Sequence, residues 1–219
     1  MANYEFPTET VDLPSKGHFY FQGHPLSSGK VELKYMTAKE EDILTSQNLI
    51  QQGTVIDVLL ESLIVDKSIK VEDLLVGDKN ALMVAARVLG YGADYTFKYN
   101  DEQITVDLQE LETIELKESD LIEKGLNQFA YTLPHSNTPI TFKLLNTRDD
   151  RKVKAEVKGL QKINKRSNPE LSTRLKHVIM SVNGDETPAT IREFVDKYML
   201  ARDSRALREH IRTFQPDID

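Results

Sequence analysis

Cysteine is absent from the 219 residues. Its absence excludes a disulfide framework and every thiolate metal site. No window approaches the ~18 consecutive apolar residues of a membrane span. The opening MANYEFPTETVDLPSKG is polar and acidic and lacks the apolar centre of a secretory leader. These features set the expectation of a soluble, intracellular protein. Catalytic signatures are missing as well. None of the five histidines, His18, His24, His135, His177 and His210, belongs to an H-E-x-x-H motif or a short-spaced set with carboxylates. Neither a nucleophile elbow of the G-x-S-x-G kind nor a glycine-rich phosphate cradle is present. No cofactor and no metal is therefore expected. His18 and His24 read as an aromatic strand end and a loop.

What the chain does have is a run of helix signals from Thr37 to Tyr95. Thr37 with Glu40 forms a capping box. Gly53-Thr54 ends one helix and opens the next. That next helix is apolar on more than one face through Val55, Ile56, Leu59, Leu60 and Leu63, as a buried helix is. Asp78 reads as the cap of a third helix and Gly90 as its stop. Before this unit the chain is extended. Val11–Leu13 is strand-like, Pro14–Gly17 is a turn, His18–Phe21 reads as a short aromatic strand, and Lys30–Met36 alternates like a half-buried strand. After it, Tyr95–Tyr99 and Gln103–Leu108 predict a hairpin closed by residues 100–102. Residues 109–126 read as a short strand and a short helix. Phe129–Leu133 and Ile140–Leu145 predict a second hairpin around the loop PHSNTP.

From Thr147 onward the pattern is helical. Helices are expected over about 147–165, 169–182, 188–199 and 204–214. The expected fold is α+β: an N-terminal β element, a three-helix unit, two hairpins and a C-terminal helical subdomain. The expected boundary is Asn146/Thr147, giving domains 1–146 and 147–219. Charge changes sign there too. Residues 147–219 hold 16 Lys and Arg against 12 Asp and Glu, a net of +4, while the first 146 carry 12 against 23, a net of −11. Opposite signs favour intramolecular docking or two different partner surfaces.

The acidic clusters Glu40-Glu41-Asp42, Glu72-Asp73 and Asp149-Asp150 fall in expected first turns, where the helix dipole favours them. Their reading is structural. Arg87, on an otherwise apolar helix, is expected to pair with Asp78 or Asp94. The most unusual stretch is Arg148–Arg166, with eight Lys and Arg against three acids. Lys154, Lys158 and Lys162 recur every four residues and share one helix face. Three readings stand in order: a solvated face, a surface for an acidic partner, and a nucleic-acid contact. The last lacks interleaved aromatics for base stacking.

Four blocks in order, LPSKGHFY, VELKYMTAKEEDIL, NLIQQGTVIDVLLESLI and DLLVGDKNALMVAARVLGYGADY, resemble the baseplate hub assembly proteins of T-even-type contractile-tailed bacteriophages. The likeness covers roughly residues 6–110 and keeps block order and spacing. It implies a non-enzymatic protein of the tail baseplate hub, either a component or an assembly chaperone, whose partners are other hub proteins. It implies the host cytoplasm during tail assembly as its location, with retention in the virion baseplate left open. Some members of that family carry a Cys-x-x-Cys knuckle in the hairpin after the Gly-Tyr-Gly-like turn. Here TFKYNDEQITVDL has no cysteine, so no zinc role is carried over. The expected contact residues are the aromatic run Phe19, Tyr20 and Phe21, the loop at His135, and the lysine face Lys154, Lys158 and Lys162. The first rival is a nucleic-acid-binding regulator acting through the basic helix 148–166. The second is an enzyme whose site assembles distant carboxylates with Arg87. Oligomeric state is left open.

Overall fold

The computed structural model describes residues 7–114, 123–164, 168–213 and 215–218. The chain is α+β, with eight α-helices and small antiparallel sheets of two, two and three strands among these residues. It divides into two compact units, Met1–Glu115 with Pro216–Asp219, and Leu116–Gln215.

The first unit opens with β1 (Thr8–Asp12), antiparallel to β2 (Lys30–Lys34) with Val11 opposite Val31. The residues between them form a closed loop rather than a strand. The Leu13 N–H donates to the Gly29 carbonyl at 2.8 Å, and the backbones of Gly17 and Gly29 lie back to back. Both have positive φ, and a Cβ on Gly17 would sit 2.4 Å from the Ser27 carbonyl oxygen. Only glycine fits this closure. The loop then turns Leu13, Phe19, Tyr20 and Leu26 inward, where all four are buried. The aromatic strand expected at His18–Phe21 is thus a run of turns.

The capping box at Thr37 and Glu40 forms. The helix it starts is broken at Ser46 into α1 (Ala38–Thr45) and α2 (Gln47–Gln52). The expected buried helix is α3 (Val55–Leu63), which buries Leu59, Leu60 and Leu63. The chain leaving it lies along β2, with the Val65 N–H donating to the Glu32 carbonyl at 3.0 Å. A single 3-10 turn (Val71–Asp73) leads to α4 (Val76–Tyr91). This helix starts two residues before Asp78 and runs past Gly90, with Gly92 as its C-cap. Next come β3 (Asp94–Tyr99) and β4 (Glu102–Asp107), paired from Asp94↔Asp107 to Tyr99↔Glu102. The tail returns to this unit. Ile218 bridges Thr113, and the Asn80 side-chain amide donates to Asp217 at 3.1 Å. Of the expectation for 109–126, residues 115–122 lie outside the described residues.

The second unit is built on one sheet. β5 (Phe129–Thr132) pairs with β6 (Pro139–Phe142), which pairs in turn with β7 (Ile179–Val182), all antiparallel. Around it lie α5 (Thr147–Ile163), α6 (Glu170–Val178), α7 (Pro188–Glu193), a π turn over Phe194–Tyr198, and α8 (Ala201–Arg212). Two expectations change here. The helix expected over 169–182 stops at Val178, because Ile179–Val182 completes the sheet and buries Ile179 and Val182. The boundary expected at Asn146/Thr147 falls inside this unit. The second hairpin gains its third strand from beyond that point, so residues 147–215 are not a separate helical subdomain. Counted by unit, the charge contrast sharpens. Leu116–Gln215 holds 19 Lys and Arg against 13 Asp and Glu, a net of +6. The remaining 9 against 22 give the first unit a net of −13.

Candidate interaction surfaces

Asp78 is a carboxylate of the first unit committed entirely to the fold. It lies in the first turn of α4 and is fully buried. One oxygen accepts the Ser15 N–H at 2.9 Å, and the other accepts the Tyr20 hydroxyl at 2.6 Å. The Tyr20 oxygen itself accepts the Leu75 N–H at 2.9 Å. This chain of bonds fastens the 13–29 loop to the start of α4. Burial pushes the Asp78 carboxyl above the usual carboxylate range, against the pull of its Tyr20 and Ser15 donors. The Tyr20 phenol is raised by burial and then by the charge of Asp78. Two of the three aromatic residues expected to meet a partner are therefore core residues: Phe19 is 4 % exposed and Tyr20 8 %. Only Phe21, at 63 %, faces outward.

Glu40 is a second buried carboxylate, at the start of α1. It accepts from Lys34 Nζ (2.8 Å), Ser62 Oγ (2.6 Å) and both the backbone N–H (2.9 Å) and hydroxyl (2.6 Å) of Thr37. Burial works against its ionisation, yet the donors from Lys34, Ser62 and Thr37 outweigh it and hold the carboxyl well below its ordinary range. Three elements, β2, α1 and α3, meet at this side chain. Asp57 on α3 pairs with Lys79 on α4 in the same unit. These carboxylates are structural ties.

The loop at His135 lies in the second unit and is exposed. Its backbone is held from below: the N–H groups of His135 and Ser136 donate to the two oxygens of Asp203, at 2.8 and 3.0 Å. Asp203 is buried in the first turn of α8. Burial opposes its charge, but the two loop amides keep its carboxyl below the usual range. The His135 ring is left on the surface of a fixed loop.

Lys154, Lys158 and Lys162 are all exposed on α5, as their spacing requires. Lys154 pairs with Asp150 at 2.7 Å, and Asp150 also pairs with Arg174 of α6 at 3.1 Å. Val153 and Val157 are buried on the opposite side of α5, while Ile163 at its end is 85 % exposed. Among the described residues, Arg87 pairs with no carboxylate. It donates to the carbonyls of Gly92 (2.9 Å) and Asp94 (3.3 Å) and lies over the rings of Tyr91 and Tyr95. It fixes the turn from α4 into β3.

One further surface carries exposed aromatics. Tyr95, Phe97 and Tyr99 occupy one face of the β3–β4 hairpin, and all three are exposed. The signal was present as three aromatics at alternate positions of a strand. Period two says which residues share a face, however, and not whether anything covers it. Among the described residues, no group of three or more His, Asp or Glu could hold a metal ion, and no helix is long and apolar enough to cross a membrane. No family model, curated protein or solved structure matches this chain.

Proposed function

We propose that this chain is a non-enzymatic protein of a contractile-phage tail baseplate hub, a hub component or an assembly chaperone, acting through contacts with other hub proteins. The observation that carries the reading is the four-block likeness to baseplate hub assembly proteins over roughly residues 6–110, a span that coincides with the first compact unit. The buried carboxylates Asp78, Glu40 and Asp203 all serve internal ties, which suits a protein whose business is binding. The two units carry opposite net charge, so each is suited to a different partner surface. Assembly would take place in the host cytoplasm. Co-purification with the other hub proteins of its phage, followed by mass spectrometry of finished tails, tests this. Hub proteins recovered with the chain, and the chain missing from tails, identify a chaperone. Fixed stoichiometry in tails identifies a component. Recovery of no hub protein overturns the proposal.

The exposed row Lys154, Lys158 and Lys162 favours a second reading, a nucleic-acid-binding regulator. Binding to duplex or single strands that falls steeply with salt and is lost on reversing the three lysines to Glu would support it. Loss of hub binding in the same triple variant, with folding intact, would instead assign this face to an acidic hub surface.

A further inference from the structure

The β3–β4 hairpin is two strands wide, and among the described residues no other strand joins either edge. A two-stranded hairpin with a bare apolar face is marginal in water. Here that face is rich. Paired residues of the register point the same way. Tyr95 with Val106, Phe97 with Ile104, and Tyr99 with Glu102 thus form one stripe, and the Tyr95 and Phe97 rings lie 5.8 Å apart. Tyr95 is 45 % and Tyr99 61 % exposed. The same face continues downward through Ala93 and Leu108, which are bonded through the Leu108 N–H and the Ala93 carbonyl at 3.0 Å. Ala93 and Leu108 also line a cavity of about 550 Å³ whose other wall is Ala81, Ala85 and Val88 of α4. Cavity and stripe are therefore one continuous apolar surface. From Ala93 to Tyr99 it is about 20 Å long at ~3.3 Å per residue.

Glu102 ends the stripe, with Asp101 in the turn beside it and Glu110 and Glu112 just after β4, while Asp94 and Asp107 pair on the other face. Residues 93–114 hold six Asp and Glu and one Lys, a net of −5. Glu9 adds a further carboxylate beside the cavity. A second copy would bring the same charge to a symmetric contact. The basic helix of this chain, α5, cannot serve either, since its Val153 and Val157 are already buried.

We propose that this surface is the docking site for a basic amphipathic helix of a different protein. Its apolar side would lie along the Tyr95–Phe97–Tyr99 stripe, one large residue would enter the cavity, and its Lys and Arg would meet the acidic rim. A stripe of this length takes a helix of about 13 residues, and a sheet of two strands is wide enough for one helix. The inference rests on the hairpin and the cavity, and does not depend on the hub reading.

The probe is a fluorescent helical peptide of about 14 residues, with Leu on one side and Lys on the other, titrated into the full chain. Two control peptides keep the pattern, one with Glu for Lys and one with Ser for Leu. The expected result is saturable binding of the Leu/Lys peptide alone, weakened by salt, with amide shifts confined to residues 93–108 and the facing side of α4. Phe97→Ser with Tyr99→Ser should weaken it about tenfold or more, as loss of central aromatic anchors does. Should that pair disturb the hairpin, Glu102→Lys with Glu110→Lys keeps the stripe's aromatic and aliphatic residues in place and should turn preference toward the Leu/Glu peptide. No binding, equal binding of either control, or indifference to both variant pairs overturns the proposal. Self-association of the chain that the Phe97 and Tyr99 changes abolish would overturn it as well, in favour of a second copy.

Discussion

Replacing Tyr20 by Phe removes one oxygen atom and keeps the ring in place. The structure makes that oxygen the middle of a buried relay: it donates to Asp78 at 2.6 Å and accepts from the Leu75 N–H at 2.9 Å. Its loss takes a donor from a buried carboxylate, worth about 1.5–3 kcal/mol, and leaves a buried N–H without its acceptor, worth about 1–3 kcal/mol. Asp78 can relieve part of this by taking up a proton, since burial already raises its carboxyl. A net loss of about 3 kcal/mol is therefore expected at neutral pH. With a urea slope of roughly 2 kcal/mol/M, the unfolding midpoint of the first unit should fall by roughly 1.5 M. Phe21→Ser is the matched control, because its exposed ring should change stability by no more than about 0.5 kcal/mol. Amide exchange gives the local readout. In Tyr20→Phe the Leu75 and Ser15 amides should lose protection first, since both belong to the relay. A neutral Tyr20→Phe beside a costly Phe21→Ser would refute the assignment of Tyr20 to the core.

Glu40→Gln should cost about 3 kcal/mol at pH 7, as breaking a buried pair from one side does. Because the folded carboxyl is depressed, its contribution is present above the unfolded Glu value of ~4.3 and is lost as pH falls through the folded one. The gap in Tm between wild type and Glu40→Gln should therefore begin to narrow below about pH 4 and keep narrowing into strong acid, and a gap that is constant down to strong acid would contradict the assignment. Asp203→Ala should cost about 2–3 kcal/mol and release the His135 and Ser136 amides to exchange, whereas protection that survives would mean the loop is held otherwise. Gly77→Ala and Gly159→Ala share a helix-propensity gain of ~1 kcal/mol, but a Cβ on Gly77 would lie 1.8 Å from the Pro216 carbonyl oxygen while one on Gly159 meets nothing within 4 Å. Thermal melts should show Gly159→Ala more stable and Gly77→Ala less stable than wild type.

Elements whose causes are local were readable in advance. The capping box at Thr37, the apolar wrap of α3 and both hairpins depend on neighbours within a few residues, and each forms where those neighbours predict it. Ile179–Val182 was not readable this way. Its apolar spacing continues that of α6, and only the free edge of β6, some forty residues earlier in the chain, draws it into a strand. The domain boundary was misplaced for the same reason. Lysine spacing correctly put Lys154, Lys158 and Lys162 on one exposed face. The run HFYF, by contrast, looks like a strand until the Gly17–Gly29 closure turns Phe19 and Tyr20 inward.

Asp78 and Asp203 show why a correct local reading can still miss what a residue does. Each sits in the first turn of a helix, where dipole and cap arguments place acids in any sequence. Each in fact accepts backbone N–H groups from a loop more than sixty residues away in the chain. A cap serving its own helix and a tie to a distant loop have the same sequence signature, and burial separates them. A carboxylate left in water can satisfy its oxygens with solvent, whereas one buried beside a loop is costly unless the loop supplies the donors. Loops held in this way have already committed their donors to the fold. Binding energy for a partner must then come from groups the fold leaves at the surface, among them Phe21, Ile163, the lysines beyond Lys154 on α5, and the aromatic stripe of the β3–β4 hairpin. Of these, only the stripe combines large apolar area, an adjoining cavity and a net acidic surround, the combination in which a few aromatic anchors dominate an interface.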